Sequence, residues 1–312
     1  MVLQLDAATV LLQWAVGGML FCWFTTRRRE VGLGYGWLLR GTYLLLAAGA
    51  VLLGLRFDTV PGREIAGVGV VLGCGLALGV SIVRRAAGVR GQRAEHDRRS
   101  ERVAAMTGID RTGAADGDDR DEADDAVDGR ADLEMAGAGT VSVREFPPAL
   151  DLVPVAIGSV GLVFAAVAAA DGSEASVWVS LARTLVGAAF LGAVTDAMLL
   201  GHWYLVQPGL PRRLLNEIVA ALGWIWPFQV AVMLLPPGML SVFTGTIDDG
   251  WGGVLGWMWA ASAVTTIVLV FVTRAALKER QYSAVMAATG LLYLAILTAF
   301  GTDLVARAVL DG

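Results

Sequence analysis

The sequence predicts an all-α protein, a helix bundle that crosses a membrane eight times. Composition, the length of the apolar runs and the placement of the arginines all favour this fold class. Of the 312 residues, 56% are apolar and only 17% are charged, whereas soluble chains are about 45–50% apolar and about 25% charged. Many of the charges also fall in one stretch, from Arg84 to Glu145, so the rest of the chain is more apolar still. A membrane-spanning protein is the class that fits.

Eight apolar runs are long enough to cross a bilayer, whose hydrocarbon core of about 30 Å takes about 20 helical residues. The first run follows Asp6 without a basic segment before it, and Arg27, Arg28 and Arg29 come directly after it. This is the reverse of the order in a cleaved signal peptide, so the run is predicted to be a true span. The predicted spans are residues 8–25, 35–55, 65–83, 149–170, 176–201, 214–235, 252–273 and 283–309.

The basic residues predict the direction of each span, because cytoplasmic loops of membrane proteins carry an excess of arginine and lysine. They fall in every second loop, at residues 27–29, 84–93, 212–213 and 274–280. The loops between these are short and poor in arginine. We therefore expect both termini outside and the long loop in the cytoplasm. An arginine-rich chain with one lysine, Lys278, is typical of a GC-rich genome, which favours the cell (plasma) membrane of a prokaryote.

The segment between the third and fourth spans divides the chain. Residues 84–146 begin with basic residues and continue as an acidic run, which has no aromatic residue and no hydrophobic periodicity. Such a run cannot bury enough apolar surface to offset its ordering entropy. We expect a disordered cytoplasmic linker between the membrane spans of residues 1–83 and those of residues 147–312. Its juxtamembrane arginines are also of the kind that binds anionic lipid head groups.

The sequence contains no signature of a common cofactor or metal site. It has no P-loop, no HExxH and no paired CxxC, and its two histidines, His96 and His202, do not provide a membrane haem with two axial ligands. Cys22 and Cys74 lie within apolar runs, where a cysteine behaves as a small buried hydrophobe. No catalytic set, metal or nucleic-acid partner is predicted, and the sequence points to no particular cofactor.

Glycines in the third span predict close helix packing. Gly69 and Gly73 are four residues apart, as are Gly75 and Gly79, and small residues at this spacing let two membrane helices approach closely. The bilayer is one predicted partner of the chain. Other membrane subunits, packed against these glycines, are the second.

Ionisable residues within the predicted spans are expected to be paired, because each costs several kcal/mol in a bilayer unless it is paired, hydrated or able to reach the interface. In the outer half are Arg183 in span five and Asp303 and Arg307 in span eight. Their equal depth predicts an Arg183–Asp303 ion pair that pins these two spans together. Arg307, four residues after Asp303, is at a spacing that suits a bridging role.

Four residues of the inner half are candidates for a ligand site or a proton pathway. Arg40 and Asp196 lie at similar depth, Glu217 lies near the start of its span, and His202 lies at the interface, where an imidazole can accept a proton near neutral pH. We expect Arg40 and Asp196 to face one another or to share a hydrated pocket with the other two. Structural ion pairing is the alternative interpretation of Asp196.

Span six carries a second unusual cluster, formed by Trp224, Trp226, Pro227 and Gln229. A proline within a helix removes one hydrogen bond and frees a carbonyl group. The expected kink, flanked by two indoles, suits a pocket for a flat apolar ligand. Helix packing alone is the alternative interpretation.

Three classes of function fit these features. Transporters place their sites near the bilayer midplane on broken helices, where this chain has only Gln229 and the Pro227 kink. The sequence therefore favours a membrane-embedded subunit or accessory protein that holds a lipophilic ligand, a quinone or a lipid. A transporter of small solutes, ions or protons is the second class. A lipid-modifying enzyme is the least favoured, because no span has clustered carboxylates at metal-ligand spacing.

Overall fold

The computed structural model describes residues 6–85, 146–171, 175–207, 209–279 and 281–310. Within these ranges the chain forms nine α-helices and no strand, with a 3₁₀ turn at Pro148–Asp151 before the fourth helix. The helices are α1 (Ala7–Thr26), α2 (Leu33–Arg56), α3 (Pro61–Val83), α4 (Leu152–Asp171), α5 (Val177–Val206), α6 (Arg212–Leu234), α7 (Met239–Phe243), α8 (Val254–Ala276) and α9 (Tyr282–Leu310).

Eight of these helices are long and apolar enough to cross a membrane, and only α7 is short. The predicted all-α, eight-span fold is therefore confirmed, and the protein is an integral membrane protein with several spans. The direction of the spans, with both termini outside, stays a prediction. The predicted linker of residues 84–146 lies almost entirely outside the described residues.

The described residues of 1–79 and 147–312 form one compact unit. In this unit consecutive long helices run antiparallel. We call its two ends the Asp6 end, where α1 starts, and the Thr26 end, where α1 finishes. Residues at the ends of α2, α4, α6 and α9 therefore lie beside the start of α1, at the Asp6 end.

Capping residues explain where three of the helices begin. The Asp6 carboxylate accepts a hydrogen bond of 3.1 Å from the Thr9 backbone N–H, and the Ser176 hydroxyl accepts one from Val179 at the start of α5. Both satisfy N–H groups that have no partner within the helix. Pro61 begins α3, where its fixed φ suits the first turn and its missing N–H costs nothing.

A backbone contact between α1 and α5 forms the centre of the bundle. A Cβ atom at Gly17 would overlap the carbonyl oxygen of Ala188, and one at Gly192 would overlap the Gly17 backbone. Glycine at both positions lets the helices approach until their backbones touch, as small residues do in membrane bundles. One position further along α1, Gly18 faces the ring of Tyr43 from α2. We call this contact the α1–α5 crossing.

The outer surface of the bundle is apolar, as lipid contact requires. Leu45 of α2, Trp224 of α6 and Phe271 of α8 are 71%, 74% and 61% exposed. Two glycines of α3 pack within the chain, since Gly69 faces Ile157 and Gly73 faces Pro154, both in α4. Contact with another subunit at the glycines of α3 stays a prediction.

The loop before α8 is organised around a single carboxylate. Asp249 accepts hydrogen bonds of 2.9, 2.8 and 2.9 Å from the backbone N–H groups of Trp251, Gly253 and Leu255. Gly253, with φ of 85°, adopts a left-handed conformation that other residues rarely take. These N–H groups, Gly253 foremost, hold the pKa of Asp249 below its ordinary value, so the ionised form stabilises the loop.

We expect this loop to open in acid. Ionised Asp249 contributes its full stabilisation above the ordinary aspartate pKa of about 3.9, and the contribution is lost as the pH falls through the lower pKa of the folded state. In that range the amides of Trp251, Gly253 and Leu255 should lose protection from hydrogen exchange together. Asp249→Ala should lack this protection at every pH. Asp248→Ala, the control, should keep it, and equal protection in both variants would contradict the assignment.

Candidate functional site

A cavity of about 360 Å³ lies at the Asp6 end of the bundle. We call it the vestibule. Six helices contribute to it, and its walls combine apolar side chains with a few polar and charged groups. Its lining comprises Asp6, Ala7, Ala8, Thr9, Val10, Leu53, Phe57, Asp58, Val60, Ala165, Ala168, Ala169, Ser180, Arg183, Thr184, Met233, Arg307 and Leu310.

Two arginines form the floor of the vestibule, and both are almost fully buried, with 6% of Arg183 and 7% of Arg307 exposed. The Arg183 guanidinium donates to the carbonyl oxygens of Val232, Leu235 and Pro237 at 3.1, 2.8 and 2.5 Å. These carbonyls close the C-terminal end of α6 and the turn after it. A cation there also interacts favourably with the partial negative charge of a helix C-terminus.

Arg307 ties α9 to α5 beneath the vestibule. Its Nε lies 2.8 Å from Oδ2 of Asp303, and one of its Nη groups donates to the carbonyl oxygen of Arg183 at 3.1 Å. Gln229 of α6 donates to the other Asp303 oxygen at 2.8 Å. Asp303, which is fully buried, is therefore held by a cation and an amide from two different helices.

Gly187 of α5 leaves the space that these polar side chains occupy. A Cβ atom there would lie 2.9 Å from Nη2 of Arg307, 2.9 Å from Oδ1 of Asp303 and 3.0 Å from Nε2 of Gln13. Gln13, on α1, donates to the Thr184 carbonyl oxygen at 2.6 Å. A polar network that α1, α5, α6 and α9 share therefore adjoins the vestibule, which Arg307 and Thr184 of this network line.

Beside the vestibule, a third buried arginine fastens α3 to the start of α1. Arg63, 1% exposed, lies 2.5 Å from a carboxylate oxygen of Asp6 and 2.7 Å from one of Glu64. It also donates to the Thr9 hydroxyl at 3.0 Å. Asp58, on the rim, is exposed. The vestibule therefore has buried cations at its floor and carboxylates toward its mouth.

In the half of the bundle toward the Thr26 end, Arg40 of α2 forms a two-pronged ion pair with Asp151 of the 3₁₀ turn. Nε and Nη2 of Arg40 lie 2.7 and 2.6 Å from the two carboxylate oxygens. The two side chains are 4% and 0% exposed. Each charge of this pair is neutralised by the other, and two parallel hydrogen bonds join them, so neither charge is left without a partner in the bilayer.

Asp196 is fully buried in α5 and accepts a hydrogen bond from the hydroxyl of Tyr43. Its other oxygen, Oδ2, has no hydrogen-bond partner within the described part of the chain. Next to it in sequence, Thr195 accepts a hydrogen bond of 2.9 Å from the Trp14 indole. Asp196 therefore lies just beyond the α1–α5 crossing, on the side away from the vestibule.

The other predicted site residues have separate partners. Glu217 pairs with Arg28 at 2.6 Å on the surface, and exposed His202 lies 3.3 Å from the hydroxyl of Tyr293. Each of the four predicted inner residues thus has a different partner, so the structure does not gather Arg40, Asp196, Glu217 and His202 into one hydrogen-bonded group.

The predicted aromatic cluster of α6 is also dispersed. Trp224 points outward with 74% exposure, whereas the Trp226 indole donates to the Ala263 carbonyl oxygen at 2.9 Å. Gln229 joins the vestibule network instead. Helix α6 continues through Pro227 without interruption.

Among the outer residues, the contacts run from Asp303 to Arg307 and from Arg307 to the Arg183 carbonyl oxygen. A direct Arg183–Asp303 pair stays a prediction. Tyr43 and Gln13, which take part in buried polar contacts, are not among the residues predicted from the sequence. Their position within apolar spans could have indicated them, since a hydroxyl or an amide in a span needs a partner as a charge does.

Within the described residues, no group of three or more His, Cys, Asp or Glu side chains could hold a metal ion. Comparison of the chain with protein-family models, with curated proteins and with solved structures gives no match. A function for this chain therefore has to be inferred from the geometry of the vestibule and of the buried Asp196.

Proposed function

We propose that the protein is a membrane-embedded binding protein for a small zwitterionic solute, which enters the vestibule from the Asp6 end. The observation that carries this proposal is a cavity of about 360 Å³ whose floor contains two buried arginines. Ligand cavities in proteins measure about 300–1,000 Å³ and combine apolar walls with a few placed polar groups. A volume near the lower bound suits a small molecule.

The separation of charge within the vestibule favours a zwitterion. The positive charge of Arg183, which lies beside the Arg307–Asp303 ion pair, attracts a carboxylate toward the floor, where the surrounding helices keep the dielectric constant low. Asp58, exposed on the rim, suits an ammonium group near the mouth. Between them, Leu53 and Phe57 offer an apolar wall to the body of the ligand. The ligand would thus lie with its acid end inward.

This ligand differs from the quinone or lipid that the sequence favoured. The place that the sequence offers for a flat apolar ligand is a pocket between Trp224 and Trp226. In the structure Trp224 faces outward, and the Trp226 indole N–H donates its hydrogen bond to the Ala263 carbonyl oxygen of α8. The vestibule instead has charged groups at both ends, which an apolar ligand would leave desolvated and without new partners.

Leucine and two analogues test the proposal. 4-Methylpentanoate keeps the carboxylate of leucine without its ammonium group, and isoamylamine keeps the ammonium group without the carboxylate. A ligand at 100 times its dissociation constant stabilises the folded state by about 2.7 kcal/mol. We expect leucine to raise the unfolding temperature of the purified protein most, the acid less and the amine least.

A pocket-filling variant locates the binding site. Ala168→Leu adds bulk to the vestibule wall without touching its charges and should abolish the leucine shift. The matched control is Val167→Leu on the same helix, because Val167 is 40% exposed on the outer surface and should leave the shift intact. The proposal is wrong if none of the three probes stabilises the protein, or if Ala168→Leu responds to leucine as the unmodified chain does.

A further inference from the structure

We propose that Asp196 is a proton-binding site, which carries its proton in this conformation and is controlled by Tyr43 and the α1–α5 crossing. This inference is independent of the vestibule and of its solute. Asp196 is fully buried, one oxygen accepts a hydrogen bond from Tyr43, and the other oxygen has no hydrogen-bond partner among the described residues. Oδ1 is therefore the hydrogen-bonded oxygen, and Oδ2 is the oxygen that can carry the proton.

An ionised carboxylate in this place would lack a counter-charge. Asp196 contacts the hydroxyl of Tyr43 and interacts electrostatically with Tyr35 from α2 and Cys22 from α1. None of these three residues is a cation. The nearby Arg40 is held by both oxygens of Asp151. A bare charge in a bilayer interior costs several kcal/mol, whereas a neutral acid with one accepted hydrogen bond costs much less.

The site suits a proton better than a metal ion. A sodium or calcium ion needs several oxygen ligands around one point, and Asp196 has one oxygen partner, the Tyr43 hydroxyl, in the described residues. That hydroxyl already supplies the hydrogen between the two oxygens. When the proton leaves Oδ2, the Tyr43 hydrogen bond remains and becomes charge-assisted, so the phenol stabilises the carboxylate that is formed.

Proton binding at Asp196 is linked to the helix contact at the centre of the bundle. The ring of Tyr43 packs against Gly18 of α1, while its hydroxyl bonds Asp196 of α5. The same stretch of α1 touches the α5 backbone at Gly17. A shift of α1 along α5 would move the phenol away from the carboxylate. The charge state of Asp196 therefore depends on the position of α1.

Infrared spectra of the purified protein, compared with those of its variants, test whether Asp196 carries a proton. A protonated carboxyl group gives a carbonyl stretching band that an ionised one lacks. We expect such a band at neutral pH, its loss in Asp196→Asn, and its retention in the control Glu217→Gln, whose carboxylate is paired with Arg28 on the surface. In Tyr43→Phe the band should move to higher frequency, because the carbonyl oxygen then accepts no hydrogen bond.

Stability provides a second readout. If Asp196 is neutral, asparagine replaces a neutral group by one of nearly the same shape, so Asp196→Asn should fold with an unchanged unfolding temperature. Were Asp196 ionised, that variant would remove a charge and shift the unfolding temperature. The proposal is overturned if the neutral-pH band is the same with and without Asp196, or if Tyr43→Phe leaves its frequency unchanged.

Discussion

Gly17→Ala is expected to abolish the folded bundle, although it adds only one methyl group. The new Cβ atom would overlap the Ala188 carbonyl oxygen, which belongs to helix backbone and cannot rotate away as a side chain can. Overpacking against side chains costs about 1–3 kcal/mol. Since α1 and α5 must separate here along their length, we expect a loss above about 4 kcal/mol, a large part of the 5–15 kcal/mol that stabilises most proteins.

The measurement is the fraction of protein that remains monodisperse after extraction in mild detergent, followed by unfolding in a denaturing detergent. Gly290→Ala is the matched control, because it also adds a methyl group in a long helix but has no atom within 4 Å of the new Cβ. It should be neutral or stabilising by up to about 1 kcal/mol through helix propensity. A Gly17→Ala protein as stable as this control would show that the crossing is not a close contact.

The second large effect is expected at the Arg40–Asp151 pair. Removal of one partner, as in Arg40→Met or Asp151→Leu, strands the other charge within the bundle and should cost about 3–5 kcal/mol. The double variant removes both charges and leaves apolar side chains of similar length. It should recover most of the stability that either single change loses, because buried ion pairs are replaced by apolar groups at little cost.

Unfolding of the three variants in a denaturing detergent measures these effects. The Arg28–Glu217 pair is the control, since its side chains are 36% and 34% exposed, against 4% and 0% for Arg40 and Asp151. Exposed pairs contribute about 0–1 kcal/mol, so Arg28→Met should change little. If the losses of the two single variants simply add in the double variant, the two side chains do not depend on one another.

The sequence predicts the spans well because lipid contact requires long apolar runs. It misplaces the end of a helix where charged residues belong to that helix. The third run was predicted to begin at residue 65, whereas α3 begins at Pro61. Hydropathy excluded Arg63 and Glu64, which are nevertheless buried in the first turn of α3. Their charges are balanced by one another and by Asp6. Such a balance depends on contacts between distant residues, which a hydropathy window does not contain.

The candidate sites are only partly predictable, for a geometric reason. Residue number within a span gives the depth of a side chain, and depth is the basis on which Arg183 and Asp303 are predicted to pair. It does not give the direction in which a side chain points around its helix. Asp196 and Arg40 have similar depth, but Asp196 meets Tyr43 and Arg40 meets Asp151. Neighbouring helices decide that direction, and the sequence does not specify which helices are neighbours.

The Arg40–Asp151 pair also has a consequence for the order in which the spans enter the membrane during synthesis. The two residues are 111 positions apart, so at about 5–20 residues per second Asp151 is made about 5–20 s after Arg40. Arg63, by contrast, finds Asp6 already synthesised. Because an unpaired arginine in a bilayer costs several kcal/mol, we expect Arg40 to remain at the level of the lipid head groups or within the insertion machinery during that delay. The second span should then reach its final depth only after Asp151 has been synthesised.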